Sequence, residues 1–237
     1  TSLIAQDMAR MAMDTRFFIQ RWSYWNGSPQ ALAQGVHTVA EAAPQLTEVP
    51  AIMRRRLSRL SRMALRVAFD VATGQPLPSV FASRHGELNR TMELFAQLCQ
   101  REPLSPAGFS QSVHNTASGL YAIVAANTQP STLISAGPTT LMMALLEALA
   151  LSRDLASPVL LVQADERLPA AYQPFVDEQE LDLALALVVS SQPLAAGERW
   201  QLSQQPGQAD APLPRSLLWQ LAAGLASGGD QFSCQHG

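Results

Sequence analysis

The residues best placed to do chemistry sit together in one stretch. His114-Asn115-Thr116-Ala117-Ser118-Gly119 leads into the apolar run Leu120-Tyr121-Ala122-Ile123-Val124. A hydroxyl beside an imidazole is the raw material of nucleophilic acyl transfer, because the ring can take the proton as the oxygen attacks. On that reading the chain is a small acyltransferase or hydrolase using Ser118 or His114, and His114-Asn115 is a candidate site pair. The flanks argue against it. T-A-S-G-L lacks the G-x-S-x-G elbow that strains and exposes a hydrolase serine. His114 and Asn115 equally suit a structural task, holding a turn or facing a second subunit.

Composition removes other chemistries. The 237 residues include no lysine, and all 16 basic residues are arginine. A P-loop would lack its phosphate-reaching amine, a Schiff base could not form, and a Ser-Lys pair is impossible. Cys99 and Cys234 stand far apart with no C-x-x-C, so a zinc ribbon or dithiol site is unsupported and a reducing compartment fits. Cys99 reads as a structural thiol or a small buried hydrophobe. Asp165-Glu166 follow a strand end without a third ligand at metal spacing, and read as a turn. The expectation is no metal and no cofactor.

The elements that must position these residues follow from periodicity. Residues 15–22 (TRFFIQRW) are aromatic and β-branched and read as a strand, ended by a turn at Asn26-Gly27-Ser28-Pro29. Residues 30–50 suit loops and a short helix. Over 51–72 the apolar Leu57, Leu60, Ala64, Val67, Ala68 and Val71 recur at spacings of three and four, which predicts one helix. Arg55, Arg59, Arg62 and Arg66 fall on another face of it. Residues 78–82 read as a strand. A helix then runs to about Gln100, capped by Ser83 or His85, with Leu88, Met92, Phe95 and Leu98 as its apolar stripe. A strand edge and tight turn precede a buried small-residue helix from Thr116. Strands at 131–136, 158–164 and 181–191 and helices at 139–152 and 215–226 complete the pattern, with a loop at 203–214 and a frayed Gly-Ser end. Met142 and Met143 read as packing residues. Apolar runs without alternation suit strands covered on both faces, and strands alternating with helices predict a layered α/β fold.

Hydrophobic residues make up 47% and charged residues 15%, against about 25% in ordinary soluble domains, so part of the surface is expected to be covered by a partner. The net charge of -3 does not suit nucleic acid. No apolar run reaches the ~18 residues of a membrane span, and no basic start precedes an apolar stretch, so a soluble cytoplasmic protein is expected. Residues 1–13 read as an N-terminal extension to a single domain over 14–237.

The stretch SPAGFSQSVHNTASGLYAI (105–123) resembles the nucleophile region of the thiolase-fold condensing enzymes, the β-ketoacyl synthases. In that family a strand leads to a cysteine that opens a buried helix, in a pattern like C-A-T-G-L-H-A-I. Thr116-Ala117-Ser118-Gly119-Leu120-Tyr121-Ala122-Ile123 lies over it, so Thr116 stands where the cysteine would be. RRRLSRLSRMALRVAFDVA (54–72) is similar to the family's early helix, and STLISAGPTTLMMALLEAL (131–149) and PVLLVQADERLP (158–169) to later elements, so the likeness runs over about 15–190. SRHGELNRTMELFAQL (83–98) is similar to a small subgroup found with aryl polyene biosynthesis. The resemblance implies the N-terminal half of a β-ketoacyl synthase, a mixed sheet with a buried helix.

Two departures shape the functional expectation. The family's thiolate owes its low pKa to a helix N-terminus, and a threonine hydroxyl there is far harder to ionise. The family's two histidines, in patterns such as H-G-T-G-T and N-x-x-G-H, have no counterpart after residue 124; His37, His85, His114 and His236 lie in other contexts. The resemblance therefore implies a non-catalytic, chain-length-factor-like subunit that pairs with an active ketosynthase on acyl carrier protein substrates and helps set acyl or polyene length. Met92, Phe95, His114, Asn115 and Ser118 are the tunnel or interface candidates, with Leu94 and Leu98 beside them. Arg55, Arg59, Arg62 and Arg66 are candidates for docking the acidic carrier protein, set against a solvated or salt-bridged helix face. The small acyltransferase or hydrolase using Ser118 or His114 stays open as the rival, as does a scaffold without influence on chain length.

Overall fold

The computed structural model describes residues 15–26, 44–72, 74–193, 197–206, 216–228 and 231–236, with 15, 201–206 and 231–236 described through the backbone alone. In chain order the elements are β1 (Thr15–Asn26), α1 (Ala51–Arg54), α2 (Arg59–Val71), β2 (Ser79–Ala82), α3 (Leu88–Cys99), α4 (Pro106–Ser110), α5 (Thr116–Val124) and β3 (Ser131–Ile134). A 3-10 turn at Gly137–Thr139 then enters α6 (Thr140–Leu155), followed by β4 (Val159–Asp165), a 3-10 segment at Ala170–Phe175, β5 (Leu183–Ser190), β6 (Glu198–Pro206), α7 (Leu217–Ala226) and β7 (Gln231–His236). The strands form one sheet in the order β3-β2-β4-β5-β1-β6-β7. β2 runs parallel to β3 and β4, β5 is antiparallel to β4 and β1, and β6 is antiparallel to β1 and parallel to β7. This is the layered α/β arrangement that the sequence pattern predicts, with the mixed sheet that the resemblance implies.

Strand alternation sorts the apolar side chains into two cores, one on each face of the sheet. In β5 the four residues Leu183, Leu185, Leu187 and Val189 face one core, together with α6 and α7. Ala184, Ala186 and Val188 face the other, with α2. Leu-Ala alternation thus places large side chains under α6 and α7 and small ones under α2, so α2 can lie close to the sheet. In β4 the same alternation sends Val159 and Leu161 one way and Leu160, Val162 and Ala164 the other. Both strands are buried on both faces, which is why their sequences read as apolar runs without alternation. A register shift between Ile19 and Arg21 in β1 lets Phe17, Ile19 and Tyr24 share one face despite their mixed spacing.

Several expectations need correction. The helix expected over 51–72 is two helices, because Ser58 leaves the helical conformation to cap α2 and accepts a hydrogen bond from the Ser61 N–H at 2.9 Å. Arg55 therefore lies in the break and does not share a helix face with Arg59, Arg62 and Arg66. Neither Ser83 nor His85 caps α3; Glu87 occupies that position without a side-chain cap bond. The expected strand edge before Thr116 is α4 and its following turn, with Ser105 capping α4 through the Gly108 N–H. The expected loop at 203–214 is the end of β6 up to Pro206, with 207–215 outside the described residues, and the expected frayed end forms β7. The turn at 26–29 and the segment 30–43 largely fall outside the described residues, as do 1–13 and His37; Asn26 itself is paired with Leu183 as the last residue of β1. Among the described residues no helix is long and apolar enough to cross a membrane.

Candidate functional site

α5 begins at Thr116, as the motif predicts, but it is not a buried helix throughout. Thr116, Ser118 and Tyr121 are buried, whereas Ile123 is 68% exposed. Tyr121 anchors it from inside, with its ring between those of Phe69 on α2 and Phe81 on β2 at 5.5 and 5.7 Å. The opposite face of α5 is left open.

At the helix start both hydroxyls turn back to carbonyls three residues earlier. Thr116 Oγ1 donates to the Val113 carbonyl at 2.8 Å, and Ser118 Oγ donates to the Asn115 carbonyl at 3.0 Å. Such short-range bonds satisfy the hydroxyl and compete with any other use of its proton. Asn115 is exposed and occupies the cap position without a side-chain cap bond. His114 is half-buried and turned elsewhere. Its Nε2 lies 3.1 Å from the Ser83 carbonyl. A carbonyl only accepts, so Nε2 carries the hydrogen and donates. Burial pushes the imidazole below its ordinary pKa, with the Ser83 bond opposing. Among the described residues no hydrogen bond joins His114 to Ser118 or Thr116.

The ring of His114 rests on Gly86. A Cβ at position 86 would lie 2.6 Å from His114 Cδ2, and Gly86 has φ +59, so space and conformation both demand glycine. Gly86 belongs to a turn tied to β4 by Asp165. That carboxylate accepts from Ser83 Oγ at 3.0 Å, from the Arg84 N–H at 2.6 Å and from Gln163 Nε2 at 2.8 Å. Burial raises its pKa, against the pull of these three donors and Arg84. Next to the turn, buried Glu87 accepts from Ser58 Oγ at 2.7 Å and Ser61 Oγ at 2.6 Å, and its pKa is raised by burial. Of Asp165-Glu166, expected as a plain turn, Asp165 is thus the last residue of β4 and a structural anchor, and Glu166 just after it accepts from Asn89 at 3.0 Å. Glu87 and Gly86 were not singled out from sequence, and Asp165 was read there only as part of a turn. The compact string Ser83-Arg84-His85-Gly86-Glu87 after a buried strand was their available signal. Among the described residues no cluster of His, Cys, Asp and Glu suits a metal ion.

The remaining candidates separate. On α3, Met92 is half-buried, while Phe95 and Leu98 are 54% and 57% exposed, so the expected apolar stripe faces outward. No residue of α3 is buried. Cys99, expected as a buried or structural residue, is an exposed free thiol. Met142 packs against the core, but Met143 is exposed. Phe109, Val113 and Ile123 continue the exposed apolar character through α4 and α5. Three of the four arginines have partners inside the chain. Arg59 pairs with Asp182 at 3.0 Å over the Trp25 ring, Arg62 donates to the Arg54 carbonyl, and Arg66 pairs with Glu48 and Asp70. Arg55 is exposed.

Comparison with known proteins agrees with this geometry. The family model for the β-ketoacyl synthase N-terminal domain matches residues 22–232. The structure of a ketosynthase (ApeO) in complex with its chain length factor (ApeC) from Xenorhabdus doucetiae contains a chain 25% identical to this one. The match covers 90% of this chain and 92% of that one, with a TM-score of 0.68. The ishigamide ketosynthase/chain length factor is 20% identical over 60% of this chain and 45% of its own, with a TM-score of 0.50. A ketosynthase from module 1 of the bacillaene synthase of Bacillus amyloliquefaciens FZB42 is 10% identical over 74% and 42%, also at 0.50. At those identities the last two share the fold alone. No curated protein matches the chain by sequence.

Proposed function

The chain belongs to the β-ketoacyl synthase family, and from that premise we propose that it serves as a non-catalytic, chain-length-factor-like subunit of an active ketosynthase. The observation that carries this reading is Thr116. The residue opening α5 is a threonine whose hydroxyl proton is directed at the Val113 carbonyl, in the place where the family resemblance puts a nucleophilic cysteine. An alcohol so held, with His114 turned to Ser83, has no partner to take its proton.

The partner follows from two further supports. The Xenorhabdus structure, matched nearly end to end, is a complex between a ketosynthase and a chain length factor. In this chain Phe95 and Leu98 on α3, Phe109 on α4 and Ile123 on α5 are exposed, and β3 at the sheet edge has no strand beyond it among the described residues. Unpaired edges and clustered exposed apolar groups are surfaces that a second subunit covers. Met92 and Phe95 would then border the partner's acyl chain, and substitutions there would shift product length, in aryl polyene or polyketide-type synthesis. Arg55 offers an exposed cation for an acidic acyl carrier protein.

Coexpression with an active ketosynthase from the same organism tests the reading. A one-to-one complex is expected, with product lengths that change in Met92→Trp. A stable monomer that hydrolyses acyl thioesters alone would replace it with the Ser118 or His114 enzyme. Unchanged lengths across bulky substitutions would leave a scaffold.

A further inference from the structure

We propose that His114 is a positioning residue that fastens the start of α5 to the Ser83–Gly86 turn, and thereby holds α3 and α5 in the arrangement a partner meets. The part concerning assembly rests on the function proposed above. The part concerning the fastening does not.

The turn receives bonds from four other places in the chain. Asp165 at the end of β4 holds the Ser83 hydroxyl and the Arg84 N–H. Beyond β3, Ser135 Oγ donates to the Arg84 carbonyl at 3.0 Å. Ahead of β5, Asp177 accepts from Arg84 Nη2 with both oxygens at 2.7 Å. From the α5 side comes His114, through its Nε2 bond to the Ser83 carbonyl and its ring packed on Gly86. The turn is closed on itself by the Gly86 N–H donating to Ser83 Oγ at 2.9 Å.

Position along the chain turns this junction into a coupling. α3 starts two residues after Gly86, and α5 starts two residues after His114. α3 has no buried residue, and α5 has three, so core packing alone fixes α3 weakly. Removing the imidazole would release the approach to α5 and open space beside a glycine whose neighbour is that ring. Both helices would gain freedom while β4 and β5, buried on both faces, would not.

Three variants separate the effects: His114→Ala removes bond and ring, His114→Leu keeps bulk without the donor, and His114→Gln restores an amide donor. Hydrogen exchange is read in peptides covering 83–92 and 113–119, with 159–165 and 183–190 as internal controls. Association is read by titration with the ketosynthase that copurifies with the wild-type chain. In His114→Ala, exchange should rise at least tenfold in both test segments and stay unchanged in the controls, and association should weaken about tenfold. His114→Gln should recover most of both. If His114→Ala does not fold, His114→Leu must show the local rise instead. Wild-type exchange at 83–92 in the donor-less variants would overturn the fastening. Faster exchange with unaltered association would overturn its link to assembly. A wild-type chain that binds no ketosynthase would refute the proposed function and leave the exchange result to decide the fastening.

Discussion

The Thr116 hydroxyl and the Val113 carbonyl face each other at 2.8 Å across the opening of α5. The bond makes the first residue of the helix part of its own cap. Thr116→Ala should cost about 1 kcal/mol, the ordinary net worth of such a bond, since the Thr116 N–H still serves the same carbonyl. Thr116→Cys should leave the isolated chain without condensing activity, because a thiol supplies nothing to promote decarboxylation. Thermal unfolding checks the first expectation, and product analysis after incubation with acyl and malonyl carrier protein checks the second.

Glu87 predicts a pH dependence of definite sign. Its folded pKa lies above the ordinary glutamate value, chiefly through burial. Between those two pKa values the native state holds a proton that the unfolded state has released, so stability falls as pH rises through that window. Above it the cost of the buried charge is fully present. Glu87→Gln keeps an oxygen for both Ser58 and Ser61, which share Oε1, and removes the charge. Its melting temperature should equal or exceed wild type at neutral pH, and the difference should vanish below the ordinary glutamate pKa. Melting curves of both proteins, compared at neutral pH and below the ordinary glutamate value, decide it.

Asp165 should tolerate an amide and not a methyl. Gln163 Oε1 is buried without a hydrogen-bond partner, while Gln163 Nε2 donates to Asp165. In Asp165→Asn a flip of the Gln163 amide turns its oxygen toward the new NH2 and puts its own NH2 in the unpaired position, so the number of unpaired atoms is unchanged and the loss should stay under about 1 kcal/mol. Asp165→Ala strands the Ser83 and Arg84 donors and should cost about 3 kcal/mol. Denaturant unfolding of the two variants measures the difference.

The exposed stripe of α3 separates folding from assembly. Phe95→Asp and Leu98→Asp change side chains that are more than half exposed, so stability of the isolated chain should move by no more than about 0.5 kcal/mol. Copurification with a ketosynthase should be lost in both. Retained copurification would move the proposed contact away from α3.

The sheet and the helix start at Thr116 were legible in the sequence for a physical reason. β4 and β5 are buried on both faces, so apolar residues fill most of both strands without alternation, and a pattern that strong survives without tertiary knowledge. β6 and β7 lay outside that logic. Glu198–Pro206 is polar and Gln-rich, and β7 is a short strand at the sheet edge whose pairing comes from its neighbour. The break at Ser58 was hidden because Leu57 and Leu60 keep helical spacing across it. The role of His114 was hidden because Ser83 is 31 residues away, a distance that only the fold closes. Phe95 and Leu98 have helical periodicity whether the stripe faces a core or a partner, and periodicity alone cannot tell which.

The division of labour between this chain and a ketosynthase is tested most directly by intact-mass analysis. The complex and each separate subunit are incubated with an acyl carrier protein bearing its acyl thioester. The account predicts an acyl adduct on the ketosynthase and none on this chain, alone or in complex. An adduct on this chain that maps to Thr116 or Ser118 would contradict it.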